Sequence, residues 1–192
     1  AYFKVQLYTG TGSSNAITFD DTDTDMQPDL VWFKSRENTD YHQVYDAVRG
    51  VQKNLHTNST DDEATESQGL TAFGSDGFTV GTNEDSNYNT RKYVAWCWKE
   101  TATAGFDIVQ YTGNGTDDTD ISHSLSAVPH FFITKTTSAG TQEWFVYHHK
   151  NTSAPETENL FLNETAQTAD SATYLSDEAP TSSVFTVGTS GP

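Results

Sequence analysis

"QYTGNGT" at residues 110–116 nearly repeats "LYTGTGS" at residues 7–13, and the residues downstream of each turn decide the fold. Aligned on these turns, further landmarks fall into step. "QPDLVWFK" (27–34) answers to "VPHFFITK" (128–135), "QVYD" (43–46) to "FVYH" (145–148), and "KNLHTNST" (53–60) to "ENLFLNET" (158–165). "FTVGT" recurs unchanged at 78–82 and 185–189. The offsets stay between 101 and 107 residues and drift only as loop insertions allow, which is the mark of an internal duplication. The chain therefore reads as two copies of one unit, residues 1–104 and 105–192. The second copy has no counterpart of "YVAWCWKE" (93–100). By the repeat spacing that counterpart falls beyond Pro192, so the chain is expected to be a fragment of something longer. The alternative is that another subunit fills the gap.

Each copy reads as β. "FKVQLY" alternates apolar and polar positions and stops at Gly10 and Gly12. "LVWF" and "FFI" are short apolar runs entered through Pro28 and Pro129, which bias the preceding residue to extended backbone. "LTAFGSDGFTVG" predicts a hairpin turning at Asp76-Gly77. "YVAWCWK" sets Val94, Trp96 and Trp98 on one face and Tyr93, Ala95 and Cys97 on the other, and Trp32, Trp96 and Trp98 are assigned to the core. The best helical candidate, "ETAQTADSA" (164–172), is polar enough to be loop or a single turn. Short strands separated by Gly, Asn, Asp and Thr clusters give an all-β class, expected as tandem β-sandwich repeats of jelly-roll or concanavalin-like type.

Composition narrows the partners. Hydrophobic residues make up only 34% of the chain but aromatics 12%, so a few large side chains must supply the core. Ten Lys and Arg against 27 Asp and Glu give a net charge of -17, which disfavours nucleic acid and anionic membranes. Cys97 is the only cysteine, so neither an intrachain disulfide nor a cysteine zinc site can form.

The candidates for chemistry are few. "DDTDTD" (20–25) and "TDDTD" (116–120) carry carboxylates of the kind that hold Ca²⁺, but neither matches a known loop pattern, and they read as solvated loops. His42, His56, His123 and His130 lack ligand spacing, and the adjacent His148 and His149 point to opposite faces on a strand. No nucleophile elbow and no phosphate loop is present. No catalytic residue, metal site or cofactor is assigned. Tyr41, Tyr88 and Trp144 fall at predicted loop edges, where aromatic faces can stack on sugar rings, and they are the candidate ligand-binding residues.

"QPDLVWFKSREN", "VYDAVRG", "LTAFGSDGFTVG" and "YVAWCWK" together resemble a tandem-repeat family of tailed-bacteriophage and prophage structural proteins, common in marine phages. The resemblance implies a tail-fibre-like or other virion surface protein without enzymatic activity. Its partners would be other virion proteins, further copies of itself in a homo-oligomer, and host cell-surface glycan. It departs from that pattern in its Asp/Thr-expanded first loop and in the absent closing strand of the second copy. The rival reading is a glycan-binding or glycan-degrading module of a secreted bacterial protein.

Overall fold

The computed structural model describes residues 1–20, 22 and 24–189. The fold is all-β: antiparallel sheets carry the chain, and helix is confined to single turns among the described residues. Two compact units emerge, Ala1–Thr57 with Glu63–Glu100, and Asn58–Asp62 with Thr101–Pro192. The division thus falls at Glu100/Thr101 rather than at 104/105, and the short segment Asn58–Asp62 is built into the second unit.

The first unit runs β1 (Phe3–Thr9), β2 (Asn15–Thr18), β3 (Leu30–Ser35), β4 (Gln43–Asp46), β5 (Lys53–His56), β6 (Ala64–Thr65), β7 (Leu70–Gly74), β8 (Gly77–Val80), α1 (Glu84–Asn87) and β9 (Lys92–Trp98). One sheet has the order β1-β9-β3-β4-β5-β6 and the other β2-β8-β7. β9, last in sequence, is central: it pairs antiparallel with β1 on one side and β3 on the other. Val31, Phe33, Tyr45, Ala95 and Cys97 from the larger sheet share one core with Ile17, Leu70, Phe78 and Val80 from the smaller. Each large apolar side chain in that set, removed from water, contributes about 1.5–3 kcal/mol. Burial also pushes the Cys97 thiol up to about 12, so it stays protonated and inert at neutral pH.

Two faces differ from expectation. The tryptophans of β3 and β9 lie on the side of the sheet away from this core and are half-buried, with Trp32 and Trp96 meeting edge to face at 5.9 Å. The smaller alternate set, Tyr93, Ala95 and Cys97, faces the core because Phe33 and Phe78 already fill it, their rings 6.3 Å apart. β1 is inverted in the same sense. Its register opposite Cys97 and Ala95 turns Lys4 and Gln6 inward and leaves Phe3, Val5 and Leu7 exposed. The buried polar ends find partners: Lys4 lies 3.9 Å from Asp76 and over the Phe19 ring, and Gln6 accepts from the Asp20 amide. The hairpin forms with Ser75 and Asp76 between the strands, one residue earlier than expected, and Gly77 opens β8 at φ +131.

Two polar devices fix the loops of this unit. In "VYDAVRG", Asp46 closes the turn after β4. Its carboxylate accepts from the Arg49 backbone amide at 2.8 Å and side-chain Nε at 2.5 Å, while Arg49 also reaches Glu63 and the Val44 carbonyl. Gly50 continues at φ +98, a conformation that costs a Cβ-bearing residue energy. The "YTGTG" turn is gripped by Asn87, fully buried. Its amide oxygen accepts from the Thr11 amide and Asn15, and its nitrogen donates to the Ser13 and Gly81 carbonyls.

The second unit contains β10 (Thr119–Ser122), β11 (Phe131–Thr134), β12 (Phe145–His148), β13 (Glu158–Asn159), β14 (Ala169–Asp170), α2 (Ala172–Leu175) and β15 (Val184–Val187), with 3₁₀ turns at Ala102–Ala104 and Pro155–Thr157. The helical turn starts where the polar candidate ends, because Tyr174 and Leu175 supply the apolar contacts that stretch lacks; Tyr174 stacks on Phe145 at 5.1 Å. Pairings repeat those of the first unit in register. Val31↔Tyr45 is matched by Phe132↔Tyr147, Ile17↔Phe78 by Ile121↔Phe185, and Asn54↔Ala64 by Asn159↔Ala169. A connecting bond recurs too: Ala47 N–H to the Asp29 carbonyl, and His149 N–H to the His130 carbonyl.

Candidate functional site

The end of the larger sheet where chain enters β4 and β9 gathers the residues that could hold a ligand. Asn83 caps α1, its side chain accepting from the Asp85 amide at 3.0 Å. The helix ends after one turn at Tyr88, whose backbone N–H donates to the Tyr93 hydroxyl; that hydroxyl in turn donates to the Glu84 carbonyl. Thr90 at φ +68 then swings the chain into β9 and places Arg91 beside the loop that leads to β4.

Arg91 organises the surface. Its guanidinium donates to the Asp40 carboxylate at 2.5 Å and lies over the Tyr88 ring, 4.3 Å from the centroid. Tyr41, next to Asp40, stacks on His56 with centroids 4.3 Å apart and planes within 7°. His56 ends β5, opposite Gln43 of β4, and its Nε2 accepts from the Asn54 amide nitrogen at 2.9 Å. Tyr41 and Tyr88 are 45% and 44% exposed, so each ring is held from beneath and open to solvent above. Beside them Asp85 receives a hydrogen bond from Gln43, and its carboxyl is raised, by burial first and then by the nearby Asp40 charge. The patch therefore offers two anchored aromatic faces, a forked cation, and carboxylates that accept hydroxyl hydrogen bonds. That combination suits a polyhydroxylated ring with an apolar face.

Of the three sequence candidates, the structure joins Tyr41 and Tyr88 through the Asp40–Arg91 pair and separates Trp144. Trp144 does not stand at an open loop edge. It is 6% exposed in the second unit, with its indole N–H donating to the Ser59 carbonyl and its backbone N–H to Asn163. The apolar run through Phe145 and Tyr147 extends one residue further back than a loop edge at Trp144 allows. Asp40, Asp85 and Arg91 were missed because their roles come from long-range contacts. The only local hint was the density of polar residues beside the tyrosines in "ENTDYH" and "EDSNYNTR".

The other candidates take structural positions. In 116–120, Asp117 accepts from Ser176 and Asp120 from Thr186. In 20–25, Asp21 and Asp23 lie outside the described residues. Among the described residues no three His, Cys, Asp or Glu side chains are placed to hold a metal ion. His130 and His149 do meet, their rings parallel at 4.0 Å with His148 close by, an arrangement that spacing alone did not suggest. No helix among the described residues is long and apolar enough to cross a membrane. No curated protein and no solved structure matches the chain. A family model described as "Domain of unknown function (DUF7483)" matches residues 1–192, and the chain belongs to that family.

Proposed function

We propose that this chain is a non-enzymatic structural protein of a tailed-phage virion surface, part of a tail fibre, knob or decoration. In this reading it is built from tandem β-sandwich modules and engages host-surface glycan through the Tyr41–Tyr88 patch. The observation that carries the binding role is the pair of half-exposed tyrosines tied to one another through the Asp40–Arg91 ion pair on a rigid sheet end. The modular reading is supported by the shared core of the two sheets in the first unit and by the same strand registers in the second. The virion reading rests on the sequence resemblance. Neighbouring virion proteins or further copies would meet the apolar outer side of β1, where Phe3, Val5 and Leu7 are exposed.

Binding is tested by titrating the protein against an array of bacterial surface polysaccharides. Wild type should bind at least one saturably, and Tyr41→Ala and Tyr88→Ala should each weaken that binding at least tenfold without changing the melting temperature by more than a few degrees. Undiminished binding in both variants, or no binding across the array, overturns the glycan role. Mass spectrometry of purified particles separates the virion protein from a secreted bacterial module carrying the same patch. Its recovery only from culture supernatant would favour the latter.

A further inference from the structure

The charges at the Tyr41–Tyr88 patch are unequally satisfied. Asp40 has both carboxylate oxygens engaged: Oδ1 accepts from the Asn38 side-chain amide at 2.6 Å and Oδ2 from Arg91 at 2.5 Å. Lys92, next in sequence to Arg91, is paired with Glu37 at 3.1 Å. Arg91 and Lys92 are thus each committed to a carboxylate. Asp85 is held differently. Among the described residues it joins no ion pair, and its carboxylate receives one hydrogen bond, from Gln43 Nε2 at 3.5 Å. That bond is the longer leg of a fork, because the same nitrogen donates to Asn83 Oδ1 at 3.2 Å. A contact beyond the usual hydrogen-bond range does little to satisfy an anion.

Asp85 is tied to the segments that carry both open rings. It precedes Tyr88 by three residues in the single turn of α1, and Gln43, its hydrogen-bond donor, follows Tyr41 by two. Its backbone is fixed through Asn83 at 3.0 Å, and Gln43 is fixed by the Tyr45 hydroxyl, which donates to Oε1 at 3.1 Å. The charges around it are Asp40 on one side and His56 and Arg91 on the other. Burial and then Asp40 raise its carboxyl, and the two bases do not offset them. An anionic sugar therefore finds Arg91 already taken by Asp40 and is repelled by Asp85. An ammonium would complete Asp85 and lie beside aromatic faces that attract cations.

We propose that Asp85 is the specificity-determining residue of this patch, and that it selects a cationic amino sugar, a hexose with a free ammonium group, over N-acetylated and uronic acid sugars. The proposal rests on the glycan-binding reading above and adds to it the charge of the sugar. The apolar face of the sugar ring stacks on an open tyrosine while its ammonium donates to Asp85 in a charge-assisted hydrogen bond. Acetylation removes that charge, and a uronate sets a second anion against Asp85.

The test titrates the intact 192-residue chain with three short oligosaccharides of equal length: glucosamine, its N-acetylated form and galacturonate. At about pH 6 the amine is protonated and carboxylates are ionised. Glucosamine should bind at least tenfold more tightly than either other probe, and Tyr41→Ala and Tyr88→Ala should each weaken its binding. Asp85→Asn should cut the preference to less than about twofold. Asp118→Asn makes the same change of net charge in the second unit and should leave the preference intact. Equal or tighter binding of another probe, weakened by the tyrosine variants, overturns the charge selection and leaves the glycan role standing. A preference that survives Asp85→Asn, that Asp118→Asn also removes, or that the tyrosine variants do not touch is diffuse attraction to an acidic chain and overturns the proposal as well. If none of the three binds, the proposal falls, and the polysaccharide array decides the glycan role separately.

Discussion

The two units hold the same strand pairings with different polar fastenings. In the first, Asp46 and Arg49 clamp the turn after β4 with a buried ion pair, their side chains 7% and 8% exposed. In the second, the corresponding positions are His148 and Asn151, and Asn151 donates to Thr168 instead. Asp29 of the first unit accepts from the Glu100 amide, whereas its counterpart His130 stacks on His149. What does not change is the apolar register, Val31 against Tyr45 and Phe132 against Tyr147. Alternating apolar side chains therefore specify the pairing, because a one-residue slip would turn all of them away from the core. Charges and amides only secure the loops, and are free to differ.

The largest expected break in this comparison is at the ion pair. Arg49→Ala strands Asp46 in a buried position without its cation and should cost about 3–5 kcal/mol. Denaturant unfolding combined with amide exchange should place the whole loss in the first unit, and Asn151→Ala in the second should cost about 1 kcal/mol or less. Next come the matched glycines. Gly10→Ala forces a Cβ into the Tyr88 carbonyl and should cost roughly 1–3 kcal/mol. Gly113→Ala meets open space and should be neutral, or stabilising by about 0.4–1 kcal/mol through the unfolded chain. Equal losses at the two glycines, measured by chemical denaturation, would mean the turns are held alike.

Much of this was legible because paired landmarks recur along the chain: those that align at 43–46 and 145–148 become β4 and β12, and the repeated "FTVGT" falls on β8 and β15. Side-chain direction was harder to read. Alternation in "FKVQLY" gives the period of β1 but not which set faces inward, and the neighbours across β9 made the choice in favour of Lys4 and Gln6. The tryptophans misled for the same reason, since size alone does not say which face of a strand meets the second sheet. At the candidate site, Tyr41 and Tyr88 were visible as residues near loop edges. Their link through Asp40 and Arg91 spans 51 positions of sequence and is set by the sheet order alone. Trp144 was misplaced because the strand boundary fell one residue away from the end of its buried run.

Smaller effects should track pH, with opposite signs in carboxyl and imidazole ranges. Asp85 of the first unit has a raised carboxyl, from burial and then Asp40. The fold therefore favours its neutral form, and stability falls as pH rises above the unfolded carboxyl value of about 4. Asp85→Asn should raise the melting temperature at pH 7 and lose that advantage below about pH 4, as read by calorimetry across that range.

His149 of the second unit moves the other way. Its imidazole is lowered, by loss of solvent around the ring and then by His130, Lys150 and His148. A base lowered in the folded state contributes stability that is whole above the unfolded value of about 6.5 and is lost as pH falls through the folded one. Amide exchange at 131–134 and 145–148 should accelerate as pH drops below about 6.5, after correction for intrinsic rates, and His149→Gln should flatten that dependence. His42 of the first unit is lowered as well, by burial and then Lys34, so a bulk melting curve would mix the two. Exchange read unit by unit separates them: His149→Gln must leave the acid response at 43–46 unchanged. If that response flattens too, the units do not titrate as independent bodies, and the stacked histidines are not the acid-sensitive element of the second.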